Sequence, residues 1–568
     1  MSFPVLRFFC GAFKNTSRAR VTSSRAAITN YTTCQSCKMS GPSTYPLTEH
    51  FPLAMSMRPN YQISSYHSSP VKLMENKTTL YNANKKKFRL TVDTVNEHLR
   101  KMEYAVRGVV PTKAGEIEAA IKNGDKSYPF DRVLFCNIGD CHAMGQKPIT
   151  FIRQLLAACT NPTDLLESGI YPSDVVERAK DILSHCKGYS IGSYSDSRGI
   201  TVIREHVAEF ISEQDGHPCT SENVFLVNGA SDGIKQMLYI TQGNQTRTGV
   251  MIPQPQYPLY TAALAELDAE PIFYFLNEEK GWGIDIDNLR PSIKAARSVS
   301  EPRVMVVINP GNPTGSYLSR DNIEDIIKFC HEQGLVLFTD QVYQENIHEK
   351  GVEFYSFRKV LMDMPASYHD LQLVSFNSTS KGFLGECGIR GGYMHMMNMD
   401  KEVMKQIYKH SSIGLCPNTP GQIATDALVR RPQPGDPSYK LYEQEFTEIT
   451  GSLERKAVLV HKRLNQIPGV SCNEVLGAMY AFPKVVIPEE AWADCRAEDP
   501  DMSLDTYYCL EFLRQKGVCI VPGSGFGQKE GTWHFRTTIL PSEEDLKLML
   551  DAFEDFHFNF LRKYGKNV

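Results

Sequence analysis

Ser378-Thr379-Ser380-Lys381-Gly382-Phe383-Leu384-Gly385-Glu386-Cys387-Gly388-Ile389-Arg390-Gly391-Gly392-Tyr393 is the stretch around which the chain is organised. A lysine follows small hydroxyl residues, glycines come next, and an arginine stands nine positions past the lysine. The apolar run 371–376 leads in and reads as a buried strand that ends at the lysine. A deprotonated lysine amine attacks an aldehyde and forms a Schiff base. Hydroxyls and an arginine hold a phosphate, the arginine through two parallel hydrogen bonds. Glycines let backbone approach a ligand closely. Taken alone, the stretch is also compatible with a solvated lysine before a glycine turn. The rest of the chain separates the two.

From residue 224 onward, short apolar runs alternate with amphipathic ones. Strands are expected at 224–227, 249–252, 272–275, 304–308, 335–339 and 371–376, with helices at 232–241, 258–267 and 320–333 among them. Such alternation predicts an α/β fold with a mostly parallel sheet. Ligands of such sheets bind beyond the carboxyl ends of the strands. The polar residues fall there. Asn228-Gly229-Ala230-Ser231-Asp232-Gly233 opens a helix and offers Ala230 and Ser231 to an anion, although a plain helix cap explains it too. Gln254-Pro255-Gln256-Tyr257 brings a tyrosine able to stack on a flat ring, or simply to pack. Asn309-Pro310-Gly311-Asn312-Pro313-Thr314-Gly315 is a rigid double turn that fixes an asparagine amide. Asp340-Gln341-Val342-Tyr343 puts a carboxylate at the end of an apolar strand, where it costs desolvation unless it meets a cation. A protonated pyridinium is such a cation. Pyridoxal 5'-phosphate carries the pyridine, the aldehyde and the phosphate together.

The remaining chain reads more coarsely. Residues 85–104 are charged and weakly helical, and 171–186 and 200–214 read as helices. The run 133–136 reads as a strand ending in the ligand-facing loop Asn137-Ile138-Gly139-Asp140, and 189–196 is a polar, aromatic loop. A long helix is expected at 443–464, strands at 479–486 and 534–539, and a closing helix at 543–560. The expected organisation is a leader over 1–73, an N-terminal segment over 74–170, a large cofactor-binding domain over 171–430 and a smaller α+β domain over 431–568 to which the N-terminal segment contributes.

A net charge of −4 gives no reason to expect nucleic acid, and no run of eighteen apolar residues suggests a membrane span. Fifteen cysteines lack metal-like spacing, so no metal is expected and the thiols read as free in a reducing compartment. The one CxxC, Cys34 and Cys37, lies in the leader. The leader itself is basic and hydroxyl-rich, and Glu49 is its only acidic residue before Glu75. That composition is a mitochondrial transit peptide's, or a disordered tail's. Met39, Met55, Met57 or Met74 could start a shorter, cytosolic form.

From about residue 100 onward the chain resembles the class I/II aminotransferases of fold type I. The resemblance rests on Asn312-Pro313-Thr314-Gly315, on Asp340 with Tyr343, and on Ser378-x-Ser380-Lys381 through Arg390. Within the family, Asn137-Ile138-Gly139-Asp140, Gly385-Glu386-Cys387-Gly388 and Val521-Pro522-Gly523-Ser524-Gly525-Phe526-Gly527 are similar to the alanine-transaminating members. The arginine lies one residue further from the lysine than in the aspartate-specific members. Gln341, often Glu in the family, is expected to face away from the cofactor.

The resemblance implies pyridoxal phosphate bound covalently to Lys381, which then moves the proton. Asp340 would keep the ring nitrogen protonated; Tyr343 and Asn312 would bond the phenolic oxygen. Ala230, Ser231, Ser378 and Arg390 would hold the phosphate and Tyr257 would stack on the ring. Tyr194 would reach the phosphate of a neighbouring subunit, making a homodimer with shared sites. Arg536, with Gly139 and Asn312, would bind substrate. The implied reaction is L-alanine with 2-oxoglutarate to pyruvate and L-glutamate. Glutamate:glyoxylate transamination and, more distantly, a pyridoxal-phosphate lyase stay open, whereas a cofactor-fold regulator would need a lost lysine or a fused DNA-binding segment.

Overall fold

An eight-stranded sheet positions everything that follows. In the computed structural model, which describes residues 90–102, 108–243, 245–349 and 351–565, its order is Val224–Leu226, Gly392–Met397, Leu373–Ser378, Val336–Asp340, Glu301–Ile308, Thr248–Gln254, Glu270–Asn277 and Gly283–Ile284. The leader and its CxxC lie outside the described residues. The five strands from Leu373–Ser378 to Glu270–Asn277 run parallel. Their sequences are nearly continuous apolar runs because both faces are covered. On one side, the helices Ile286–Ala296, Arg320–Gln333 and Phe357–Asp363 bury their apolar stripes; on the other, the core continues into the C-terminal part of the chain.

Each expected strand and helix from 224 to 376 is present, with ends moved by a few residues. Helix Arg320–Gln333 shows why its ends were readable: Ser319 caps the first turn by accepting from Asn322 N, and Gly334 closes the last at φ 68°. Strand Gly392–Met397 was not anticipated. It follows the glycines of the site directly and runs back antiparallel between Leu373–Ser378 and Val224–Leu226, so the sheet is mixed at that edge. Its Tyr-Met-His-Met-Met sequence carries no alternation, because it too is buried on both faces.

The C-terminal strands Tyr480–Ala481, Phe535–Thr538 and Val521–Pro522 form a separate antiparallel sheet. The single strand expected over 479–486 is broken at Pro483, which has no N–H to give, and Lys484–Val485 pairs instead with Val470–Ser471. Leu134–Phe135 pairs in parallel with Val518–Cys519, so the N-terminal segment joins the C-terminal part of the chain. The long helix Tyr439–Leu464 packs on the closing helix Glu543–Tyr564, which also covers Leu504–Lys516. Of the expected helical stretch 85–104, the described residues form the short helix Glu97–Lys101, capped by Asn96; 85–89 and 103–104 lie outside the described residues. No helix among the described residues is long and apolar enough to cross a membrane.

Candidate active site

A cleft of about 400 Å³ opens at the carboxyl ends of the parallel strands. Four of the five parallel strands run into its walls. Val336–Asp340 delivers Asp340, whose side chain is buried. Tyr260 donates its hydroxyl to Asp340 Oδ2 at 3.0 Å, and Val342 N reaches Oδ1 at 3.4 Å. Burial pushes the Asp340 carboxyl up to about 6, while those bonds and Lys381 pull the other way. Glu301–Ile308 runs into the double turn that holds Asn312, and Asn312 Nδ2 donates to the Tyr343 hydroxyl at 3.4 Å. Tyr343 in turn donates to the Tyr480 hydroxyl at 3.3 Å. Burial, then the neighbouring Tyr480, hold the Tyr343 phenol well above its usual range and so neutral.

Leu373–Ser378 leads to Lys381, whose amine donates to the Gly139 carbonyl at 2.7 Å. Burial pulls this amine down; Tyr480, Cys387 and Cys141 push it up, and the balance lies above the ordinary lysine value. Gly139 tolerates no side chain, since a Cβ there would collide with the Tyr480 hydroxyl and stand 3.2 Å from Lys381 Nζ.

At one end the cleft is electropositive. Helix Ala230–Ile240 starts there, so Ala230 and Ser231 present first-turn N–H groups. Arg390 lies across it, donating to Ser380 Oγ at 3.2 Å, the Cys387 carbonyl at 3.0 Å and the Asn228 carbonyl at 3.1 Å. Among the described residues no carboxylate pairs with it. A Cβ on Gly229, at φ 88°, would come within 2.5 Å of Arg390 Nη2, so the close approach needs glycine. Ser378 donates to Ser380 Oγ at 3.0 Å beside it.

Arg536 closes the opposite side from strand Phe535–Thr538. It is 2 % exposed, and its guanidinium sits 4.3 Å from the Tyr480 ring centroid and 4.8 Å from that of Phe526. It donates to Asn312 Oδ1 at 3.1 Å and to the Asn137 carbonyl at 2.6 Å. Its Nε and Asn137 Oδ1 have no partner, and among the described residues no carboxylate neutralises it. A buried cation left in this state is a site for an incoming anion.

Lys381, Asp340, Tyr343, Asn312, Ala230, Ser231, Tyr257, Ser378, Arg390, Arg536 and Gly139 therefore share one cleft. Tyr194 does not; it is 65 % exposed and lies outside the cleft of its own chain. Gln341 is buried away from the cleft, accepting from Phe357 N. Three residues of the cleft and its floor were missed: Tyr260, Tyr480 and Cys387. Tyr260 stands three positions after Tyr257, a helical spacing that signals a shared face. Tyr480 carries no local signal. Cys387 lay within the quoted stretch but was given no role.

Residues 159–553 match the family model described as aminotransferase class I and II. The chain belongs to that family. A Danio rerio protein named alanine aminotransferase 2-like is 48 % identical to this aminotransferase over 521 residues, 90 % of this chain and 94 % of that one. A Dictyostelium discoideum protein named "Probable alanine aminotransferase, mitochondrial" is 44 % identical over 487 residues, 84 % of this chain and 90 % of the other. Among solved structures, an alanine aminotransferase from Pyrococcus furiosus superposes with a TM-score of 0.63 at 26 % identity, covering 82 % of this chain and 99 % of that one. The cofactor of this aminotransferase is pyridoxal 5'-phosphate, and its substrates are amino and oxo acids. The cleft fits the cofactor. An electropositive end suits a phosphate, a buried carboxylate suits a protonated ring nitrogen, and a lysine amine stands in the same cleft.

Proposed function

We propose that this aminotransferase moves the amino group of L-alanine to 2-oxoglutarate, giving pyruvate and L-glutamate. The observation that carries this reading is one buried arginine without a counter-ion in a cleft that also belongs to a chain 48 % identical to a named alanine aminotransferase. Pyridoxal phosphate supplies an aldehyde that bonds amines reversibly and a ring that accepts the electrons of a broken Cα–H bond. Helix Ala230–Ile240, Ser378 and Arg390 would hold its phosphate, and Tyr257 would pack on its ring. Asp340 would keep the ring nitrogen protonated, and Tyr343 and Asn312 would bond the phenolic oxygen. Arg536 grips the substrate α-carboxylate and so presents the Cα–H bond to Lys381. The Lys381 amine would act as the base that moves the proton at the substrate Cα. Gly139 leaves room beside that amine.

Alanine offers one carboxylate and a methyl group, so a single two-pronged grip is the main contact it can use. Lysine cannot copy that grip. Arg536→Lys should lower kcat/KM for alanine and for 2-oxoglutarate alike, because both use the same α-carboxylate contact. The loss expected is about 2–3 kcal/mol, roughly a hundredfold. Cofactor absorbance should be unchanged. A coupled assay of the purified enzyme with alanine, aspartate, serine and glyoxylate, run beside the variant, decides the substrate. Faster turnover with another pair overturns the alanine reading; lost thermal stability with unchanged kcat/KM makes Arg536 a structural ion.

We propose further that residues 1–73 direct the long form to mitochondria, on their basic, acid-poor composition and the Dictyostelium relative's name. A fusion of residues 1–73 to a fluorescent reporter should colocalise with that organelle, and a diffuse cytosolic signal refutes it.

A further inference from the structure

Asp340 has one side-chain donor among the described residues, and it is Tyr260. Both groups are buried, the tyrosine completely. Tyr260 sits in the first turn of helix Leu259–Glu266, one helical turn past Tyr257, which lines the cleft. The same short segment therefore places one ring along the cleft and one hydroxyl against the carboxylate. An ionised carboxylate accepts at both oxygens. With Oδ2 taken by Tyr260 at 3.0 Å and Oδ1 by Val342 N at 3.4 Å, its plane is fixed.

We infer that Tyr260 is a positioning residue for Asp340, whose hydroxyl keeps the carboxylate ionised and turned toward the cofactor ring. The inference rests on the reading of Asp340 as the partner of the ring nitrogen. The groups that face Asp340 are Tyr260, Tyr343 and Lys381; those that face Tyr260 are Tyr257 and Tyr274. Burial holds Tyr260, Tyr274 and Tyr343 neutral. Among the described residues Lys381 is then the cation facing the carboxylate, and its charge changes as its amine takes and gives up a proton. A constant hold on Asp340 cannot come from a charge that changes during turnover. Burial alone drives the carboxyl upward, and the Tyr260 bond is the largest influence against it.

Tyr260→Phe removes the hydroxyl and keeps the ring. The deciding measurement is the pH at which holoenzyme releases half its cofactor, followed by ultrafiltration between acid and neutral pH. Protonated Asp340 no longer attracts the ring nitrogen, so cofactor leaves as pH falls through the carboxyl's pKa. Without Tyr260 that pKa rises, and the release midpoint should move up by about one pH unit. The melting temperature of the cofactor-free protein should match wild type. A midpoint that stays in place overturns the inference, as does a shift accompanied by an equal loss of stability in the cofactor-free protein. Asp340→Asn separates this from the reading beneath it. If that variant keeps wild-type rates, the role of Asp340 itself is wrong. If it is impaired while the Tyr260→Phe midpoint is unmoved, only the role of Tyr260 falls.

Discussion

Lys381→Ala should yield a protein that folds, lacks the visible absorbance of covalently held cofactor, and turns over at least about a thousandfold more slowly. The amine is both the attachment point and the base, so no second group covers for it. Folding should survive, because the substitution removes a half-buried cation whose hydrogen-bond acceptor among the described residues is the Gly139 carbonyl. Mass spectrometry after borohydride reduction of the wild-type enzyme should find the cofactor on the peptide that contains Lys381. The strongest competitor is Lys456. It is buried, and burial pulls its amine down to about 8, which by acidity alone makes it the readier nucleophile. Its amine instead donates to the carbonyls of Leu540 and Pro541 and lies outside the cleft that holds Arg390. Position should prevail over acidity, since an aldehyde whose phosphate is anchored beside Arg390 is presented to Lys381. An adduct on Lys456 would reverse the assignment.

Asp340→Asn should be the second most damaging change. Asparagine keeps the volume and can still accept from Tyr260, so packing is preserved. What disappears is the charge opposite the ring nitrogen. Breaking a buried pair by removing one partner costs about 3–5 kcal/mol, roughly two hundred- to several thousandfold in kcat/KM. Asp340→Glu should also fail, because the carboxylate sits in a fully buried slot and another methylene must displace its neighbours. Near-normal rates with asparagine would show that the ring does not need a charged partner here.

Much of the site was legible in the sequence because it is made of strand ends. Asp340, Asn312 and Lys381 each follow an apolar run, and a parallel sheet collects the ends of such runs at one edge. The same logic could not find Tyr480. It comes from a two-residue strand far along the chain, and only the pairing of Tyr480 with Thr538 brings it beside Arg536 and Tyr343. Strand Gly392–Met397 was hidden for a different reason: buried on both faces and introduced by glycines, it shows neither alternation nor a turn of its own. The position of Pro483 was readable as a break, yet the run 479–486 was taken whole.

Strand Leu134–Phe135 finds its partner 384 residues later, from Leu134 to Val518. The loop carrying Gly139 hangs from that strand. During synthesis at roughly 5–20 residues per second, about 20–80 s separate the two halves of the pair. Throughout that interval the strand that carries the loop lacks its pairing partner. The strand pairing that anchors this wall of the cleft is therefore made only after Val518 has been synthesised.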